Sequence, residues 1–246
     1  MSNNNPSKNT LRNNIALVTG GTRGIGLAIA RSLLEEGVKV AICGTKSGTV
    51  DKAVRELGPL GEVFGTVADV SQIDQVKSFI SAARDRFGDP GILVNNAGVG
   101  TFRSVAELSP VEWGKMIGLN LTGVYYCCHE ILPIFKQRGG GDIINIGSLA
   151  GKNPFAGGSG YNASKFGLLG FSEAMMLDHR DDGVRVSCVM PGSVDTAFGG
   201  DAGNSAANWK IAPDDIAEVV VTLLKMPSRT TVSRVEIRPT RPPKKG

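Results

Sequence analysis

Short runs of apolar, largely β-branched residues alternate along this chain with longer segments whose apolar positions recur at helical spacing. The short runs predict strands over residues 15–19, 38–43, 63–67, 92–94, 142–147, 184–189 and 232–237. The longer segments predict helices over 25–36, 50–57, 73–87, 110–119, 122–138, 164–179 and 213–226. Gly37 stops the first helix, and Pro213 opens the last at a position where a missing N–H costs nothing. Such alternation implies parallel strands joined by crossover helices on both faces. Several runs are apolar throughout, as strands covered on both faces are. The expected architecture is α/β: one doubly wound parallel sheet of about seven strands, with ligands bound beyond the carboxyl ends of the strands.

Length and composition narrow this picture. The 246 residues suffice for one sizeable core and are too few for two comfortable domains. The net charge of +4 is mild and dispersed, which argues against nucleic acid as a partner. No apolar stretch reaches the length of a membrane span. Residues 1–13 are rich in Asn and Ser, lack the apolar run of a secretory signal, and are read as a disordered leader. Residues 14–239 form the expected folded domain, and 240–246 a basic, Pro-rich, mobile tail. Cys43, Cys127, Cys128 and Cys188 form no C-x-x-C pair and read as buried free thiols of a cytoplasmic protein. With two histidines and no H-E-x-x-H, no metal site is expected, and without a G-x-S-x-G elbow a hydrolase is disfavoured.

The first strand runs into Thr19-Gly20-Gly21-Thr22-Arg23-Gly24-Ile25-Gly26. Glycines here let the chain turn tightly, approach a pyrophosphate and pack the helix on the sheet, while the helix N-terminus offers amides to the anion. A glycine cluster alone is equally a structural turn; its place between first strand and first helix raises the cofactor reading. A site for NAD usually has an acid after the second strand to hold the ribose 2′-hydroxyl. Here the segment reads Gly44-Thr45-Lys46-Ser47, with no acid before Asp51. Arg23 and Lys46 would suit a 2′-phosphate, so NADP(H) is preferred and NAD(H) kept as the alternative. Both cations could otherwise be solvated surface charge.

Tyr161 and Lys165 are four apart, so on a helix they share a face. A nearby ammonium is expected to lower the phenol's pKa toward working pH and suit Tyr161 to exchange a proton with a carbonyl or alcohol oxygen. Ser148, after the fifth strand, is placed to donate to the same oxygen. The glycine loop, Asp69-Val70, Asn95-Asn96-Ala97-Gly98, Asn120, Ser148, Tyr161-x-x-x-Lys165 and Pro191-Gly192 occur in that order over residues 15–196. Together they resemble the short-chain dehydrogenase/reductase family in its single-domain branch, a Rossmann-type fold. The resemblance implies that Asn120, Ser148, Tyr161 and Lys165 are the catalytic set. It also implies that Lys165 bonds the nicotinamide ribose and that Asn120 holds a water in a proton relay. By the same resemblance Asp69 and Val70 meet the adenine, Asn95, Asn96, Ala97 and Gly98 form the cofactor floor, and Pro191, Gly192, Val194 and Thr196 the nicotinamide pocket.

Residues 197–211 read as a lid in preference to a disordered connector, and Phe155, Phe198 and Trp209 as either core or the lining of an apolar substrate pocket. The chain is also similar to 3-oxoacyl-acyl-carrier-protein reductases, as in Asn145-Ile146-Gly147-Ser148 and the helix start over 162–171. An acyl carrier protein would want a basic patch near the pocket, for which Arg103, Arg138 and Arg180 are candidates. The C-terminal 233–239 segment lacks the glycines with which that group builds tetramers, while the family's dimer face corresponds to helices 110–138 and 164–179. A carbonyl reductase using NADPH leads. An NAD-linked alcohol, sugar or polyol dehydrogenase and a non-catalytic dinucleotide sensor are the alternatives, and a sensor would have no need of the four-residue set.

Overall fold

The computed structural model describes residues 11–198 and 209–242. Residues 1–10 of the expected leader, 199–208 of the expected lid and 243–246 of the tail lie outside the described residues. Seven strands, β1 (Ile15–Thr19), β2 (Lys39–Gly44), β3 (Val63–Val67), β4 (Ile92–Asn95), β5 (Gly141–Ile146), β6 (Val184–Pro191) and β7 (Arg234–Ile237), form one parallel sheet in the order β3-β2-β1-β4-β5-β6-β7. The strand order reverses between β1 and β4, which opens a crevice at their carboxyl ends. Register brings Thr19 level with Cys43, and Val18 level with Val94, so these strand ends share one rim.

Seven helices cover the sheet: α1 (Gly24–Glu35), α2 (Ser47–Leu57), α3 (Ile73–Phe87), α4 (Pro110–Ile117), α5 (Gly123–Arg138), α6 (Ser159–His179) and α7 (Pro213–Leu224). The two-residue period of β1 decides its neighbours. Ala16 and Val18 pack with Ile29 and Leu33 of α1 and Ile216 and Val220 of α7. Leu17 packs on the opposite face with Phe79 of α3 and Ile131 and Phe135 of α5. Each of these fully buried large side chains contributes roughly 1.5–3 kcal/mol of burial energy.

Two differences from the sequence reading bear on the site. Helix α6 begins at Ser159, five residues before the expected 164, which puts Tyr161 on the helix with Lys165. Gly158 and Gly160 mimic a loop in composition. Yet a Cβ on Gly160 would lie 2.5 Å from Met116 and 2.8 Å from Leu108, so the glycine is there for close packing. Second, no break separates the helices around Asn120. Helix α4, opened by a capping box between Ser109 and Glu112, continues through a π turn (Gly118–Thr122) into α5. A π turn keeps the backbone bonded while rotating one residue out of the helical repeat, and such turns recur at functional sites.

Inside the sheet lies a polar ladder that the strand pattern did not reveal. Asn95 donates through Nδ2 to Asn145 Oδ1 at 2.9 Å, Asn145 donates to Ser172 Oγ at 2.9 Å, and Ser172 donates to the Leu168 carbonyl at 2.7 Å. It ties β4 and β5 to α6 beneath the site, and satisfies most of the buried polar groups involved. All four cysteines are buried and free. Burial pushes the Cys43 and Cys128 thiols up to about 12, and Cys188 to about 11, so they are held as unreactive thiols. Among the described residues no helix is long and apolar enough to cross a membrane.

Candidate active site

The glycine loop is built as its spacing implies. Gly20 and Gly24 adopt positive φ of 63° and 54°, which side-chain-bearing residues rarely accept. A Cβ on Gly20 would lie 3.0 Å from the backbone of Ala97, and one on Gly24 would lie 3.2 Å from the Thr196 side chain. The loop therefore faces both the β4 loop and the segment after β6. Arg23 precedes α1 without a side-chain cap, which leaves first-turn amides free for an anion. Thr22 packs on Gly44 at the end of β2, where a Cβ would lie 2.7 Å away. Lys46 caps α2 from an extended conformation, also without a side-chain bond, and Thr45 and Lys46 are exposed. Arg23 and Lys46 take part in no ion pair among the described residues.

Asn96 binds this loop to the sheet. Its Nδ2 donates to the carbonyls of Thr19 and Gly20 at 3.0 and 3.1 Å, and its backbone N–H donates to Thr19 Oγ1 at 3.0 Å. Ala97 N–H donates to the same hydroxyl at 3.1 Å. These groups thus shape the cradle, while Ala97 and Gly98 remain as its floor. Asp69 Oδ1 accepts from the N–H and hydroxyl of Ser71, fixing the turn that carries the buried Val70. After β6, Gly192 N–H donates to the Ile237 carbonyl at 2.8 Å, and Val194 bridges to Ile211. Pro191 to Thr196 are thereby held at the crevice rim.

At the other side of the crevice stand Ser148, Tyr161 and Lys165. Tyr161 is 8% exposed and Lys165 6%. Ser148 Oγ accepts from Ala150 N–H at 3.1 Å and stands close enough to the Tyr161 hydroxyl to favour its ionised form. Lys165 Nζ donates to the Ile146 carbonyl at 2.9 Å and sits 5.9 Å from the Tyr161 ring centroid. A seven-stranded parallel sheet with a glycine cradle at its switch point and a Tyr-Lys pair on the adjoining helix narrows the possibilities to one group. The family model for short chain dehydrogenase matches residues 14–206.

The chain belongs to the short-chain dehydrogenase family.

Its relatives agree. It is 37% identical over 185 residues to a 3alpha-hydroxysteroid dehydrogenase of Mediterraneibacter gnavus, a match covering 74% of each chain. Among solved structures, an alcohol dehydrogenase from the archaeon Thermococcus sibiricus complexed with 5-hydroxy-NADP is similar with a TM-score of 0.88 at 33% identity, over 94% of this chain and 99% of that one. A variant actinorhodin polyketide ketoreductase with NADPH is similar with a TM-score of 0.86 at 30% identity, over 92% of this chain and 96% of that one. The chain is accordingly an oxidoreductase.

Within this short-chain dehydrogenase, the electrostatics of Tyr161 run opposite to the sequence expectation. Burial raises the phenol's pKa, and the bond with Ser148 only partly offsets it. The ammonium that was expected to lower it is bonded to Ile146 and is itself desolvated: burial brings Lys165 down from 10.5 to about 8. Asn120 is bonded on both sides of its amide. It is fully buried, its Oδ1 accepts from Val99 N–H at 2.8 Å, and its Nδ2 donates to the Val99 carbonyl and to Ser164 Oγ at 2.8 and 3.0 Å. Both amide hydrogens are committed, so the side chain acts as a strut between the β4 loop and α6.

Sequence reasoning gave no task to two residues here. Asn162, at the helix start it did single out, donates to the Ala150 carbonyl at 2.6 Å and holds the turn after Ser148. Phe102 meets the Tyr161 ring edge-on, with centroids 5.4 Å apart and planes at 82°. Phe155 and Phe198 of the proposed apolar pocket do converge here, whereas Trp209 is half-buried. The three arginines do not assemble a patch. Arg103 pairs with Glu112 at 3.1 Å, whereas Arg138 ends α5 and Arg180 follows α6, each leading into the amino end of a strand (β5, β6) rather than the carboxyl rim. Among the described residues no cluster of potential metal ligands occurs.

The Lys165 shift carries a stability prediction. Between about 8 and 10.5 the unfolded chain binds the proton that the folded chain has lost, so stability rises with pH across that window and the burial cost is fully felt below it. Lys165→Met removes the term. Urea unfolding is expected to show the variant gaining on the parent by about 1–3 kcal/mol more at pH 7 than at pH 10.5. A pH-independent difference would contradict a charged, desolvated Lys165.

Proposed function

We propose that this enzyme reduces ketones to secondary alcohols with NADPH, with Tyr161 as proton donor. The observation that carries this reading is the placement of Tyr161, buried at the crevice rim on the same helix as Lys165, whose Nζ lies 5.9 Å from its ring centroid. A protonated phenol is poised to give a proton to a carbonyl oxygen, whereas alcohol oxidation needs the phenolate first. A substrate oxygen would insert between the two hydroxyls. Ser148 already accepts from Ala150, which turns its own hydrogen toward that oxygen. Lys165 orients the site from beneath and would hold the nicotinamide ribose through its remaining donors. Asn120 is a positioning residue, bracing α6 against Val99.

The cradle fits a dinucleotide: Gly20, Gly24 and Gly26 leave room where side chains would intrude, with Thr22 and Ile25 beside them. Asp69 and Val70 would flank the adenine, Ala97 and Gly98 the floor, and Pro191, Gly192, Val194 and Thr196 the nicotinamide. Bound NADPH supplies the hydride that the carbonyl carbon gains. Unpaired Arg23 and Lys46, with the exposed Thr45 and the uncapped start of α2, favour a 2′-phosphate over a 2′-hydroxyl. The test is a fluorescence titration of NADPH and NADH. NADPH is expected to bind at least ~10-fold tighter, and Arg23→Ala/Lys46→Ala to erase the gap. Equal or reversed affinity would return the chain to NAD-linked alcohol oxidation.

We also propose that the chain works as a homo-oligomer through α4–α6, supported by the exposed Tyr125, Phe166 and Leu177. Gel filtration at micromolar concentration should give at least twice the 25.8 kDa chain mass; a single-chain mass would overturn this.

A further inference from the structure

We infer that Phe102, Phe155 and Phe198 form the substrate-recognition wall of this site, and that it selects flat ring ketones over extended acyl chains. The inference rests on the carbonyl-reductase reading above and concerns what that site accepts. The three rings come from three separate segments: after β4, after the turn that follows Ser148, and after β6. They nevertheless join ring to ring around Tyr161. Phe102 lies 5.4 Å from Tyr161 between centroids, Phe198 lies 5.9 Å from Tyr161, and Phe155 lies 5.7 Å from Phe102. These are the separations at which aromatic rings attract one another through edge and offset geometries.

The rings are also open. Phe102, Phe155 and Phe198 are 47%, 45% and 38% exposed. Three large apolar rings left to water around a reacting hydroxyl mark a surface that something apolar covers. Their positions are set by the backbone beneath. A Cβ on Gly100 would lie 2.8 Å from Phe198 and 3.1 Å from Phe102, and one on Gly158 would lie 2.6 Å from Phe155. Phe155 N–H is further held by Asn162 Oδ1 at 3.4 Å. The rings thus rest on two glycines, which is preorganisation for a rigid guest. Behind Tyr161 the packing is apolar, from Met116, Ala150, Val99 and Leu108.

Charge points the same way. Arg103, next in sequence to Phe102, is neutralised by Glu112. Nothing in the described wall meets the acidic surface of a carrier protein or an anionic head group. A fused-ring or aryl ketone would place its carbonyl between Ser148 and Tyr161 and its face against the phenylalanines. A straight chain of equal carbon count would bury similar area without the ring–ring term.

The test compares 1-tetralone with 2-decanone, each of ten carbons, on the full chain. Binding is measured by equilibrium dialysis with saturating NADP+, and kcat/KM by NADPH oxidation. The ring ketone is expected to be favoured by about tenfold or more in both readouts. Phe102→Leu and Phe155→Leu, which keep apolar bulk and remove the flat face, should each cut that ratio several-fold with no change in NADPH affinity. Equal or tighter binding of 2-decanone overturns the inference, as do Leu variants that weaken both ketones alike. Two variants at separate segments guard against one misfolding. Preferential binding of 1-tetralone with neither ketone reduced would support the wall and overturn the reductase reading. Reduction of both with 2-decanone preferred would do the reverse.

Discussion

Replacing Tyr161 with Phe is expected to lower turnover by ~10²–10⁴-fold while NADPH affinity stays within a few-fold of the parent. The substitution removes one oxygen from a ring that Phe102 and Phe198 hold in place, so the packing survives. What disappears is the proton donor and one of the two hydroxyls meant for the substrate oxygen. Ser148 remains, still oriented by Ala150, and accounts for residual rate. The pH dependence should carry the same signature. Because burial raises the phenol's pKa, reduction by the parent should hold roughly level through neutral pH and fall only in the alkaline range, while the reverse oxidation should climb with pH. Steady-state kinetics in both directions, with fluorescence titration of NADPH, checks each part. A Tyr161→Phe variant within a few-fold of the parent's turnover would remove Tyr161 from the chemistry.

Gly26→Ala should produce the second large effect, on cofactor binding rather than chemistry. A Cβ at this position would drive into the Gly20 carbonyl and the Asn96 side-chain amide. Neither can step aside cheaply. Gly20 sits at φ 63°, and Asn96 is held by three bonds to Thr19 and Gly20. The added methyl therefore pushes the start of α1 off the sheet, at a cost of ~1–3 kcal/mol in stability. The anion cradle is displaced with it. NADPH affinity should weaken by at least ~10-fold, whereas Gly114→Ala, where a Cβ meets nothing within 4 Å, should bind normally and unfold no more easily. Parallel titrations and urea melts of the two variants make the comparison. Equal NADPH affinity for Gly26→Ala and the parent would mean that the loop does not hold the pyrophosphate.

Much of the fold was legible before the structure. Strands β1 and β3 and helix α3 match their expected limits, because short β-branched runs and regular helical spacing are local signals. The start of α6 was misread because Gly158-Ser159-Gly160 has loop composition, and only the close approach of Met116 and Leu108 explains a glycine inside that helix. The π turn at Asn120 was read as a break, since one shifted hydrogen bond leaves no mark on residue types.

The candidate site divides in the same way. Its glycines, the Tyr161–Lys165 spacing and the position of Ser148 after β5 are local patterns that the sequence alone determined, while the parallel sheet and the earlier start of α6 bring them to one rim. The direction of the Tyr161 shift, the lowering of the Lys165 pKa by burial, the pairing of Arg103 and the meeting of Phe102 with Phe155 and Phe198 were decided only by the tertiary structure. Desolvation, ion pairing and ring contact are sums over atoms brought together from distant segments, and no local pattern along the chain encodes such a sum.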